Sequence, residues 1–121
     1  MYLLHDIITY KKQEILFLNY KDLGDEELIK TMQHNSNEMV IQGKRDRLMI
    51  IDVTNVEVTK SALACCKQVA PLIEPFTKKI AVLGVPPILK GFLNFIASVF
   101  DMELHFFTDM ALAKEWLVNS Q

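Results

Sequence analysis

The sequence predicts an α/β domain built on a mixed, mostly parallel sheet, and three observations carry that prediction. Short apolar runs recur at residues 14–20, 48–53, 79–84 and 103–107, each the length of a strand. Between them lie stretches whose apolar residues follow helical spacing. A further apolar run at residues 2–10 precedes the first of these, separated only by polar residues 11–13, which is a hairpin arrangement. The order is β-β-α-β-α-β-α-β-α. Strands that alternate with helices pair in parallel through right-handed crossovers, and the leading hairpin makes the sheet mixed.

Taken in order, residues 2–10 are rich in Ile, Leu and Tyr but interrupted by His5, Asp6 and Thr9, as suits an exposed edge strand. Residues 14–20 (EILFLNY) form a more apolar partner. After Asp22-Leu23-Gly24-Asp25 the period changes. Leu28, Ile29, Met32, Met39 and Val40 fall at helical spacing, with Asp and Glu in the first turn, where the helix dipole favours them. The patch Asn35-Ser36-Asn37 weakens the middle of this helix, and residues 43–47 form a charged loop. Residues 48–53 (LMIIDV) are nearly all apolar, the mark of a strand covered on both faces.

Residues 54–58 form a loop, and Thr59 or Ser61 caps the next helix, whose inner stripe is Leu63, Cys66, Ala70 and Ile73. Pro71 and Pro75 require that helix to kink or end near them, and a kink is expected. Residues 79–84 (KIAVLG) form the next strand, and Pro86 or Pro87 opens a helix running to about Phe100. Asp101 ends it, residues 103–107 form a last strand, and Thr108 or Asp109 caps a final helix with Leu112, Trp116 and Leu117 facing inward.

A chain of 121 residues fits one domain, spanning 1–121. Hydrophobic residues make up 50% and charged residues 23%, as in an ordinary folded core with a solvated skin. The net charge of −2, without a block of like charges, gives no electrostatic footprint for nucleic acid or an anionic membrane. Cysteine occurs only as the neighbours Cys65 and Cys66, which cannot staple the fold and suit a reducing, cytoplasmic compartment. Residues 1–13 lack the apolar run of a signal peptide, and no stretch reaches the roughly 20 apolar residues of a membrane span.

The strand-loop Ile50-Ile51-Asp52-Val53-Thr54-Asn55-Val56-Glu57-Val58-Thr59, the strand Lys79-Ile80-Ala81-Val82-Leu83-Gly84 and the closing segment from Phe107 through Asp109 to Trp116-Leu117 together resemble the STAS domains and their SpoIIAA-like, anti-sigma-factor-antagonist relatives. The resemblance covers nearly the whole chain in topology. It implies a single SpoIIAA-like fold and a regulatory, partner-binding role. Regulatory members carry Asp-Ser-Ser-Gly at the start of the switch helix, with a phosphorylated serine. Here the matching stretch is Lys60-Ser61-Ala62-Leu63, so the acid, one serine and the glycine are gone, and Ser61 alone remains as a phosphorylation candidate.

From the residues themselves, Ser61 stands in the first turn of a helix, where free N–H groups and Lys60 would stabilise a phosphate. The simpler reading is that Ser61 or Thr59 is an N-cap. Asp52 closes a strand at the sheet edge where ligands bind, or accepts hydrogen bonds from its own loop. Cys65 and Cys66 have no activating neighbour and read as small hydrophobes. His5, His34 and His105 stand on three different elements, so neither metal nor cofactor is expected. The turn Gly84-Val85-Pro86-Pro87, flanked by Lys79 and Lys90, lacks a glycine-rich phosphate cradle.

Residues 88–100 are the most informative. At about 100° per residue, Ile88, Leu89, Phe92, Leu93, Phe95, Ile96, Val99 and Phe100 cover an arc of about 160°, wider than the stripe of about 100° that a surface helix needs. The surplus is expected at one edge, around Leu93 and Phe100 or around Phe95. The first reading is therefore a non-catalytic interaction module that docks an unidentified protein, or a second copy of itself, through Thr59, Lys60 and Ser61 or through Leu93, Phe95 and Phe100. The alternative is a small carrier of a lipid or other apolar ligand beneath residues 88–100, in a pocket of about 300 Å³ or more lined by Phe92, Phe95 and Ile96. An enzyme ranks third, because no base, nucleophile or metal set converges in the sequence.

Overall fold

The computed structural model describes residues 6–119. A sheet of five strands runs in the order β1-β2-β3-β4-β5, each strand beside its neighbour in sequence. β1 (Asp6–Tyr10) and β2 (Gln13–Asn19) form the expected antiparallel hairpin, while β3 (Arg47–Asp52), β4 (Thr77–Leu83) and β5 (Leu104–Phe107) add in parallel. Residues 2–5 of the predicted edge strand lie outside the described residues. The hairpin turns on Lys11 and Lys12, both with positive φ, and Lys11 donates to both carboxylate oxygens of Glu115 at 2.7 and 2.8 Å.

The period-2 alternation of each strand sorts its side chains between two cores. Met49, Ile80 and Val82 face one side, where α1 (Asp25–Gln42), α2 (Lys60–Ile73) and α3 (Pro87–Val99) supply Leu28, Met32, Met39, Ala62, Cys65 and Leu93. Leu48, Ile50, Ala81 and Leu83 face the other, where α4 (Met110–Asn119) supplies Ala113, Leu117 and Val118. The three crossover helices thus share one face, and α4 alone covers the opposite one. This explains why residues 48–53 read as continuously apolar.

Several local expectations are corrected. The Asn35-Ser36-Asn37 patch does not interrupt α1, which runs unbroken from Asp25 to Gln42 with Asn37 exposed. Asn35 reaches the Tyr20 hydroxyl at 2.8 Å, and Ser36 donates to the Gln33 carbonyl. Cys66 packs on the core as expected, and Cys65, left off the inner stripe, is buried as well. The change at the prolines takes the form of a transition in which α2 passes Pro71, ends at Ile73 and tightens into a 3-10 turn, Glu74–Phe76, that accommodates Pro75. Leu112 of α4 is exposed and not inward, because the helix seats Ala113 and Leu117 on the sheet and turns Leu112 to the solvent side.

Lys79 does not flank the Gly84 turn. It stands toward the opposite end of β4, buried, with its ammonium 4.7 Å from the Trp116 ring centroid and donating to the Trp116 carbonyl. His105 stacks on the same indole at 4.6 Å, on the face opposite Leu104 and Phe106 as strand alternation requires.

Candidate functional site

The carboxyl ends of β3 and β4 and the helices that follow them form the first candidate region. Asp52 accepts from both the backbone N–H of Thr54 at 2.9 Å and its hydroxyl at 2.6 Å, so its carboxylate builds the loop after β3. Gly84, at φ 69°, ends β4 against that loop, and a Cβ there would stand 1.9 Å from Thr54 Oγ1. The two loops are therefore in mutual contact.

Of the two candidate caps, Thr59 is the one used. Its Oγ1 accepts from the Ala62 N–H at 3.0 Å, satisfying one of the free donors at the start of α2, an interaction worth about 1 kcal/mol. The same hydroxyl donates to the Asp25 carboxylate, and Glu57 Oε1 accepts from the Asp25 N–H at 3.0 Å. Gly24, the N-cap of α1, has no side chain to offer, so Glu57 caps α1 from across the gap. Lys60 and Ser61 follow Thr59 as exposed residues of the first turn of α2, free of capping duty.

α3 is the second region. Leu89, Ile96 and Ala97 are buried, Leu93 is half-buried and packs on the core, and Phe100 is half-buried at the C-cap. The exposed edge instead runs through Ile88 (79% exposed), Phe95 (59%) and Val99 (55%). Of the two edges offered by the helical arithmetic, the one at Phe95 faces solvent and the one at Leu93 is turned inside. Ile88 and Val99 belong to the exposed edge and were not singled out. Their spacing with Phe95 placed them on one strip, but which strip the sheet would cover depended on how α3 sits over β5.

The third region is a partly open pocket. An apolar cavity of about 140 Å³ lies between the sheet and the three crossover helices. Leu89, Leu93 and Ile96 of α3 line it, with Met32 of α1, Cys66 of α2 and Val82 of β4 among its other walls. Phe92 and Phe95, expected as lining, are not part of it, and it falls short of the roughly 300 Å³ of a drug-sized site. Tyr20, Asn35, Ser36 and Glu57 are the polar and charged residues of its lining. Asn35, 2% exposed, gives its Nδ2 to the Tyr20 hydroxyl, while its Oδ1 is buried with no hydrogen-bond partner. The sequence did carry a signal for Asn35, since it repeats the Leu28, Met32, Met39 spacing and so sits on the inner stripe of α1.

Burial raises the Tyr20 hydroxyl far above its ordinary range and pushes the Cys66 thiol up to about 11, with the neighbouring Cys65 adding to the latter. Burial raises Cys65 as well. Both thiols are protonated at neutral pH, the opposite of what a nucleophile needs. Among the described residues no three His, Cys, Asp or Glu side chains converge to hold a metal ion. Among them, too, no helix is long and apolar enough to cross a membrane.

No known protein-family model matches the chain, and no curated protein matches it. Its structure is similar to that of an uncharacterized protein of the DUF3478 family with a SpoIIAA-like fold, from Shewanella loihica PV-4. The two superpose with a TM-score of 0.68 at 16% sequence identity, over 93% of this chain and 90% of the other. The fold is SpoIIAA-like, as the strand-loop, the Lys79 strand and the closing helix had suggested.

Proposed function

We propose that this chain is a non-catalytic binding module that docks a protein partner through the exposed apolar strip of α3. The strip itself carries the reading. Ile88, Phe95 and Val99 stand 79%, 59% and 55% exposed along one edge of a helix whose other side is anchored in the core. Clustered apolar exposure of this kind marks a contact surface. Four side chains that could do chemistry are already engaged in structure. Asp52 holds Thr54, Thr59 caps α2, Lys79 lies on Trp116, and Cys66 is held as a neutral thiol. The two unpaired cysteines fit a reducing, cytoplasmic setting. Lys60 and Ser61, exposed at the start of α2, form the second face toward a partner.

The test is Phe95→Asp, compared with Ile41→Asp, a control at an even more exposed apolar residue on α1. Sedimentation velocity reads self-association, and capture from a lysate of the source cells reads foreign partners. The expected result is an unchanged circular dichroism spectrum with association lost in Phe95→Asp and kept in the control. If Phe95→Asp unfolds, or associates as the wild type does, the strip is not the docking face.

A second reading, binding of a small apolar molecule, is favoured by one observation, the cavity of about 140 Å³ beneath α3. Its volume points to something much smaller than a lipid.

A further inference from the structure

α3 holds a glycine that the fold itself does not need. Gly91 sits within the helix, exposed and without a positive φ, and a Cβ built on it would meet nothing within 4 Å. Inside a helix glycine is among the least favourable residues, so neither turn geometry nor close packing within the chain accounts for it. Its missing side chain leaves a notch beside the exposed strip. At about 100° per residue, Ile88, Phe95 and Val99 fall within about 40° of one another, and Gly91 lies about 40° from Phe95. The strip therefore carries a bulge, the Phe95 ring, and a hollow one turn before it.

Such a surface is complementary to itself. A two-fold contact places residue i of one copy on j of the other, and j on i. An antiparallel copy of α3, with the axis level with residues 93 and 94, sets Gly91 against Phe95 of the second copy and Ile88 against its Val99, all within one residue of register. Charge agrees with this arrangement. Lys90, the one charged residue of α3, lies about 160° around the helix from Ile88, so like charges do not meet. α3 has no acid in its first turn and no base in its last, so its own end turns leave the helix dipole unanswered. Antiparallel copies answer both ends, because each amino end lies level with the carboxyl end and the exposed Asp101 of the other.

We infer that the partner of the α3 strip is a second copy of this chain, packed antiparallel across a two-fold axis with each Phe95 ring seated over the other copy's Gly91. This rests on the docking role of the strip and names its occupant. Three exposed apolar side chains make a contact at the small end of specific interfaces, below about 1,200 Å² in total, so the dimer is weak and exchanging.

Sedimentation velocity between about 10 μM and about 1 mM, the range of weak contacts, compares the wild type with Phe95→Asp, Gly91→Ala and Gly91→Leu. The wild type is expected to pass from monomer to dimer, and Phe95→Asp to stay monomeric. Gly91→Ala is expected to raise the Tm of the monomer by about 2–6 °C. Gly91→Leu fills the notch and is expected to weaken dimerisation about 10-fold, with an unchanged circular dichroism spectrum. Oxidative cross-linking reads the register. A mixture of Ile88→Cys and Val99→Cys copies is expected to form a disulfide heterodimer. Val99→Cys alone is not, because its two cysteines stand about 16 Å apart, beyond the roughly 7 Å that a disulfide spans. A wild type that stays monomeric throughout overturns the second copy as occupant and leaves the docking role to a foreign protein. A dimer indifferent to Phe95→Asp overturns both. A dimer lost in Phe95→Asp but undiminished in Gly91→Leu, or cross-linking of Val99→Cys alone as strong as that of the mixture, overturns the antiparallel seating while the docking role stands. Should Phe95→Asp unfold, Gly91→Leu and the cross-linked pair decide.

Discussion

Replacing Gly84 by alanine tests how the loops at the carboxyl edge of the sheet are fitted together. Two costs add. At φ 69° an L side chain occupies the left-handed region, which costs roughly 1–2 kcal/mol. The new Cβ would also stand 1.9 Å from Thr54 Oγ1, 2.8 Å from its Cβ and 2.9 Å from its Cα, so the obstruction includes backbone and no rotamer relieves it. Moving Thr54 breaks its 2.6 Å hydrogen bond to the Asp52 carboxylate, a charged acceptor, at about 1.5–3 kcal/mol. Together the loss is about 2.5–5 kcal/mol, a large share of the 5–15 kcal/mol typical of a domain, and corresponds to a fall in Tm of roughly 10–20 °C. Urea unfolding followed by circular dichroism measures it. Thr54→Ala removes the nearest obstructing atom and already forfeits the hydrogen bond, so the double variant should lose at least about 1 kcal/mol less than the two single losses combined. A Gly84→Ala loss below about 1 kcal/mol, or strictly additive losses, would refute the crowding argument.

Two further predictions concern titratable groups. Raising the Cys66 thiol from 9.0 to about 11 cuts its thiolate fraction about 100-fold at neutral pH, so Ellman's reagent should label the native protein far more slowly than the urea-unfolded chain; equal rates would show that α2 does not shield it. Lys11 holds the Glu115 carboxyl below its ordinary range, and Lys44 does the same for Glu14. A carboxylate with a depressed folded pKa stabilises the fold above its unfolded pKa and loses that contribution as pH falls through the folded one. Thermal stability should therefore decline on acidification below the ordinary carboxylate range, with a shallower decline in Glu115→Gln and part of it retained through Glu14. An acid limb unchanged by that substitution would show that the bridge between hairpin and α4 contributes nothing in solution.

The fold was legible because its two governing signals are local. Unbroken apolar runs of strand length at residues 48–53 and 79–84 are visible in the chain, and so is helical spacing in Leu28, Met32 and Met39. Helix rotation was less legible. Which edge of α3 stays wet, and whether Leu112 or Ala113 meets the sheet, depends on how each helix seats on strands distant in sequence. The cap at Thr59 was visible as a residue type but not as one end of a chain of bonds, since Asp25 and Glu57 lie 34 and 32 positions apart from their partners. Of the three walls named for the carrier alternative, Ile96 lines the cavity and Phe92 and Phe95 do not, and the volume is smaller than that alternative asked for. Void space depends on the fit of side chains from many segments, which no single stretch of sequence encodes.

Consecutive strand order has a consequence for assembly. Each strand pairs with its predecessor, so the layer carrying α1, α2 and α3 can be laid down in step with synthesis, every new segment finding its neighbour already in place. The reverse layer cannot. Ile15, Leu48, Ile50, Ala81 and Leu83 wait uncovered until residues 110–119 swing back across them, and Glu115 then clasps the very first turn through Lys11. During that interval one whole side of the nascent sheet is greasy and bare. Clipping the last helix would recreate that vulnerable state permanently and leave a ready surface for clumping.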